Sequence, residues 1–252
     1  MFNILTLNKI SKVGLDKLDP AKYTCSDSVE APDAILVRSA SMHEMTLSPA
    51  TLAIGRAGAG VNNIPVADFG AQGVAVFNTP GANANAVKEL VLCSLFLASR
   101  KVASAVDWCK TLKGEGDAVG KLVEKGKSAF AGPEILGKTL GVIGLGAIGT
   151  LVAEGAKALG MDIVGYNPKL SEERIADLTS KGVKLMSSLD ELYAASDYIT
   201  LHLPLNDSTR GMINGEAIAK MKDGVRILNF ARGELVDSDA LIAALGLSLI
   251  HI

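Results

Sequence analysis

One hexapeptide constrains this chain more than any other feature. Gly144, Leu145, Gly146, Ala147, Ile148 and Gly149 place glycine first, third and sixth, with a β-rich run, Thr139–Ile143, before them and a helical pattern, 148–159, after them. A strand that passes straight into a helix through such a turn leaves the first helical N–H groups unpaired, an anion site shaped for a pyrophosphate. Gly144 suits the turn, Gly146 lets phosphates approach the backbone, and Gly149 lets helix pack on strand. The competing reading is a tight turn and nothing more, but the following strand-like run, Asp162–Tyr166, completes the dinucleotide pattern. Such sites carry an acidic residue about 20 positions on, at the end of the second strand, and here the count lands on Asn167. An amide accepts from a ribose hydroxyl more weakly than a carboxylate, by about 1 kcal/mol. It also does not repel a 2′-phosphate, and Lys169 and Arg174 lie close by in sequence. NAD is the expected cofactor, with NADP left open.

The rest of the chain supplies the matching architecture. Apolar runs at Phe2–Leu7, Ala34–Val37, 52–56 and 74–77, and again at Val183–Leu185, Tyr198–Leu201 and Val225–Asn229, alternate with helical or turn sequence. Strands spaced this way need crossover connections, so they form parallel sheets covered on both faces. The fold class expected is α/β, with two doubly wound domains. At roughly 150 residues per domain, 252 residues divide into a flavodoxin-like domain over 1–99 and a Rossmann domain over 100–252. From 83 to about 113 the turn signals vanish, and Val87, Leu90, Val91, Ser94, Leu95 and Ala98 fall on one buried helical face, which predicts a single long helix. Residues 113–127, with four glycines and mixed charge, read as a solvated loop or short helix.

Composition narrows the function classes. Lys plus Arg (25) against Asp plus Glu (27) leaves a net charge of −2, no field for gripping a nucleic acid. Cys25, Cys93 and Cys109 lack the close pairs of a metal site or disulfide framework, so no metal and a reducing compartment are expected. The most apolar uncharged run, 90–99, is far short of the ~20 residues that span a bilayer, and Met1 to Leu7 shows no leader pattern. A cytoplasmic protein with no membrane partner is the expectation.

With these pieces placed, the chain resembles the D-isomer-specific 2-hydroxyacid dehydrogenases, and most of all those acting on 3-phospho-D-glycerate. The resemblance rests on VRSA (37–40), GRAGAGVNN (55–63), NTPG (78–81), KTLGVIGLGAIG (138–149), LHLPL (201–205) and ILNFARGELVDS (227–238). It implies that Arg232 holds the substrate carboxylate and polarises the reacting carbonyl, and that Arg38, Ser39 and Arg56 line the substrate site. Taken singly, either Arg38 or Arg56 reads equally well as an ordinary ion-pairing residue. It further implies that Ala59, Gly60 and Val61 present backbone N–H groups to the carboxylate. Thr79, Ala147, Ile148, Leu203, Pro204, Phe230, Ala231 and Arg232 would contact the cofactor.

Hydride transfer from C2 of a phosphorylated 2-hydroxy acid to NAD, the first step toward serine, is the implied reaction, in a homodimer joined through its cofactor domains. Other D-2-hydroxy acids stay open, and so does a non-catalytic, dinucleotide-sensing role. The family's histidine acid/base and its acidic partner have no counterpart here. His43 follows a surface-like turn, and His202 sits in the LHLPL motif. The tail 246–252 matches nothing in the family, and its last six residues back-translate to a sequence resembling a transposon-end adapter. A reading frame cut short is therefore expected, with Val225–Asn229 left as an unprotected apolar edge.

Overall fold

The computed structural model describes residues 1–246 and the backbone of 250–251. They form two compact units, Met1–Asn83 and Ala84–Ile252.

In the first unit, β1 (Phe2–Leu7), α1 (Lys12–Leu15), β2 (Tyr23–Ser26), β3 (Ala34–Val37), β4 (Ala53–Arg56), α2 (Val66–Ala71) and β5 (Ala75–Phe77) follow one another. The sheet is all parallel, in the order β2-β1-β3-β4-β5. That is the flavodoxin-like order expected from the βα alternation. Ile35, Val37, Ile54 and Val74 pack with Met42, Ile64 and Phe69 into its core. β2 escapes sequence reading because Tyr23, Thr24, Cys25 and Ser26 carry no apolar run; an edge strand needs none.

The second unit begins with α3 (Ala84–Arg100), α4 (Val102–Thr111), α5 (Val119–Gly126) and β6 (Thr139–Ile143). It continues through α6 (Ala147–Ala158), β7 (Asp162–Tyr166), α7 (Glu172–Ser180), β8 (Val183–Leu185), α8 (Leu189–Ala195) and β9 (Tyr198–Leu201). It ends with α9 (Gly215–Ile218), β10 (Val225–Asn229), α10 (Ser238–Gly246) and β11 (Ile250–His251). Its sheet runs β11-β10-β9-β6-β7-β8, the doubly wound dinucleotide order. Both faces are buried, so neighbouring residues on one strand serve opposite cores. Leu140, Val142, Ile163, Tyr198 and Leu228 face one, and Ile143, Val164, Ile199, Leu201 and Ile227 the other. No helix among the described residues is long and apolar enough to cross a membrane.

Three expectations change. The helix of residues 84–100, placed at the end of the first domain by sequence, packs within the second unit, against α6. Next, the single helix over 83–113 is two, because Lys101 takes a left-handed conformation, φ 44°, ψ 32°. The break falls where the returning chain crosses: a Cβ on Gly132 would stand 1.9 Å from the Ser99 carbonyl oxygen. The last turn of α3 is also tied to the sheet, with Ser99 Oγ 2.7 Å from Tyr198 Oη and Arg226 Nε donating to the Ala98 carbonyl at 3.0 Å. Finally, β10 is not a bare edge. Ile250 and His251 pair in parallel with Val225 and Arg226, because an unpaired strand edge accepts any extended neighbour. The pairing described stops there, short of Ile227.

A left-handed lysine costs about 1–2 kcal/mol, of which glycine relieves part at the expense of its own chain entropy. Lys101→Gly is expected to raise stability by about 0.5–1 kcal/mol in urea unfolding followed by circular dichroism. A loss of stability would mean that the lysine side chain itself holds the junction.

Candidate functional site

At the end of β6 the chain turns through Gly144, whose φ of +94° belongs to the left-handed region that glycine alone enters freely. A Cβ there would stand 2.5 Å from the His202 carbonyl oxygen. Gly149 is tighter still, since its Cβ would meet the Gly144 carbonyl oxygen at 1.9 Å. Gly146 differs, with extended backbone and nothing within 4 Å of a Cβ. It is also the N-cap of α6, and no side chain caps that helix. Space and unpaired N–H groups thus coincide at the third position of the hexapeptide, which is what a pyrophosphate requires. Ala147 is exposed and Ile148 half-buried on the first turn of the same helix. The residues present fit a dinucleotide.

Around this loop the remaining expected contacts fall at strand ends. Leu203 and Pro204 follow β9, with Leu203 Cδ2 2.9 Å from where a Gly144 Cβ would be. Phe230, Ala231 and Arg232 follow β10; Phe230 and Arg232 are exposed, and Asn229 Nδ2 donates to the Arg232 carbonyl at 2.7 Å. Arg232 Nη1 donates to the Ala231 carbonyl at 2.9 Å, so its guanidinium lies folded toward its own backbone. Asn167, at the end of β7, accepts from Leu145 N–H at 3.3 Å and donates to the Lys169 carbonyl at 2.8 Å.

The first unit gathers a second group. Val37 and Arg56 stand opposite one another on neighbouring strands, which sets Arg38 and Arg56 at the same end of the sheet. A hollow of about 190 Å³ at that end is lined by Ile10, Leu36, Gly55, Arg56, Ala57, Phe77, Asn78 and Thr79. The Arg56 guanidinium lies against Gly58, where a Cβ would overlap Nη1 at 1.6 Å. Asn78 Nδ2 donates to the Ala59 carbonyl at 2.6 Å and Thr79 N–H to the Gly58 carbonyl at 3.0 Å, which holds the loop. Among the described residues, the N–H groups of Ala59, Gly60 and Val61 have no acceptor within the chain. Arg38 and Ser39 are exposed, outside the hollow, and Ser39 N–H is taken by Asn8 Oδ1 at 2.9 Å.

Sequence reading passed over Asn8 and Thr150, and quoted Gly58 and Asn78 within motifs without giving them a role. Asn8 has φ 66° just after β1, a place where asparagine is favoured, and this was the available signal. The two histidines whose side chains are described are both engaged within the chain. His43 Nε2 is 2.8 Å from the Asn62 carbonyl oxygen, and His202 Nε2 is 3.0 Å from Thr200 Oγ1. Burial pushes His202 down to about 4, so it is neutral at pH 7.

Residues 92–251 match the family model described as D-isomer specific 2-hydroxyacid dehydrogenase, NAD binding domain. The chain belongs to the D-isomer specific 2-hydroxyacid dehydrogenase family. Within that family it is 41% identical over 221 residues to a D-3-phosphoglycerate dehydrogenase of Mycobacterium tuberculosis, covering 86% of this chain and 39% of that protein. A hydroxypyruvate reductase of Thermotoga maritima is 43% identical over 212 residues, 83% of this chain and 63% of that one. The chain thus spans well under half the length of the D-3-phosphoglycerate dehydrogenases it matches. Among solved dehydrogenase structures, a glyoxylate reductase from Paecilomyes thermophila superposes with TM-score 0.80 at 28% identity, covering 99% of this chain and 79% of that one. A D-lactate dehydrogenase from Aquifex aeolicus, complexed with NAD and lactic acid, gives 0.76 at 28%, covering 98% and 74%.

Two outcomes are expected from the dinucleotide loop. Gly146→Ala should cost at most about 1 kcal/mol of stability, the loss of a favoured N-cap, while weakening NADH binding at least about 10-fold, read by nicotinamide fluorescence; undiminished binding would place the pyrophosphate elsewhere. His202 gains its proton in the unfolded chain before the folded one, so stability should be lost as pH falls from 6.5 toward 4. Urea melts at pH 7 and 4.5 should show about 2 kcal/mol less of that loss in His202→Gln than in the parent.

Proposed function

We propose that this chain is part of an enzyme that oxidises 3-phospho-D-glycerate to 3-phosphohydroxypyruvate with NAD. The observation that carries this reading is the pair of arginines at neighbouring strand ends, one laid over a loop with free backbone N–H groups. A guanidinium offers paired, charge-assisted bonds to a phosphate or carboxylate. In the first unit the N–H groups of Ala59, Gly60 and Val61 take the substrate carboxylate, and Arg56 and Arg38 take the phosphate. In the second, Gly144 to Gly149 hold the pyrophosphate, Leu203, Pro204, Phe230 and Ala231 complete the cofactor's surroundings, and Arg232 supplies a guanidinium for a carbonyl oxygen. The chemistry the nicotinamide supplies is acceptance of a hydride. Proton transfer is assigned to neither described histidine, since burial lowers His202 to about 4, which makes it a weak base, and His43 is engaged with a backbone carbonyl. Binding and orientation are the work of this stretch.

A second reading, a non-phosphorylated hydroxy acid, is supported by the resemblance to a hydroxypyruvate reductase. The same reading of the family extends to assembly: Leu90, expected on the buried face but 56% exposed, is joined by exposed Phe96 and Leu97 on α3 and Val102 and Val106 on α4, apolar surface suited to a second copy of the chain. Light scattering should return twice the 26.2 kDa chain mass.

Calorimetry on the NADH-loaded chain separates the substrates. Arg56→Ala should weaken 3-phosphohydroxypyruvate about 10-fold and hydroxypyruvate less than about 3-fold. Equal losses for the two acids would sink the phosphate assignment and favour the second reading.

A further inference from the structure

We propose that the ribose corner of the dinucleotide loop admits a 2′-phosphate, so that this chain holds NADPH about as well as NADH. The inference rests on the dinucleotide reading of the second unit and concerns two residues, Asn167 and Arg174.

A site that selects the 2′-hydroxyl does so with a carboxylate at the end of its second strand, which accepts from the ribose and repels a phosphate. Asn167 occupies that place without charge. Its Oδ1 accepts from Leu145 N–H, and one Nδ2–H is given to the Lys169 carbonyl. The second Nδ2–H is left for a ligand, a donor that suits a phosphate oxygen.

Arg174 reaches the same loop residue from α7. Its Nη2 donates to the Leu145 carbonyl at 3.2 Å and to Thr150 Oγ1, while Nη1 pairs with Asp177. The Leu145 backbone is thus gripped at its N–H by Asn167 and at its carbonyl by Arg174, which sets the two side chains together. A guanidinium has five N–H donors, and the three bonds described leave donors for a ligand. Arg174 is about one third exposed, so a ligand can meet it. Being held in place, it loses little freedom on binding.

The acidic groups nearby do not restore the missing carboxylate. Asp177 is shared between Arg174 and Lys181, at 3.1 Å from the lysine, and Lys181 also pairs with Glu154 at 2.9 Å. Glu172 and Glu173 are exposed on the first turn of α7. Lys169, also exposed, adds a cation two residues from Asn167.

Equilibrium fluorescence titration of the chain with NADH and with NADPH tests the proposal. The expected result is a Kd for NADPH within about 10-fold of that for NADH. In Asn167→Asp that ratio should rise at least about 10-fold, and in Arg174→Ala NADPH should weaken at least about 10-fold while NADH changes less than about 3-fold. A wider gap in the parent chain overturns the proposal while leaving the dinucleotide reading intact. Equal weakening of both dinucleotides in Arg174→Ala also overturns it, making that residue a support for the loop alone. Binding of neither dinucleotide by the parent chain overturns both.

Discussion

The second unit is organised around a contact only glycine permits. With no Cβ on Gly149, α6 approaches the Gly144 carbonyl at a distance where any side chain would collide. That closeness brings Ala153 and Ala156 of α6 into the core with Leu140, Val142 and Ile163. It also brings the uncapped end of the helix to the carboxyl edge of the sheet, where the strands deliver their loops. Packing and the space for an anion have one cause here, because unpaired N–H groups are what remain when the helix has no side chain to cap it.

A different economy governs the first unit. Its strands are short, and its core is a single cluster around Ile35, Val37 and Ile54. Its two arginines sit at the strand ends, beside loops held by side chains rather than by further secondary structure. Asn8 holds Ser39, Asn78 holds Ala59, and Gly58 leaves room for the Arg56 guanidinium. Such loops present backbone N–H groups to an anion without the cost of burying them, since they remain at the surface.

Much of this was legible in the residues. Runs such as Thr139–Ile143 and Tyr198–Leu201 are nearly continuous in apolar residues because both sheet faces are covered, and the structure uses neighbouring residues for the two cores. The hexapeptide announced its turn, and the position of Asn167 could be counted. Other elements left no local trace. β2 is polar and lies at an edge, so neither periodicity nor composition marks it. The break at Lys101 lies among good helix formers, and its setting is a chain segment that returns 31 residues later at Gly132.

The sequence by itself determined the class of fold, the alternation of most strands with helices, and the place of the glycine-rich turn. Each of these follows from hydrophobic period and glycine spacing, which act over a few residues at a time. Only the tertiary structure decided what Asn167 and Arg174 do. Their partner is Leu145, 22 and 29 residues away, and a hydrogen bond across that separation exists only once α7 has packed beside the loop. The same is true of Arg226, whose bond to Ala98 spans 128 residues. Charge and chemical type are written along the chain, but which groups meet is settled by packing.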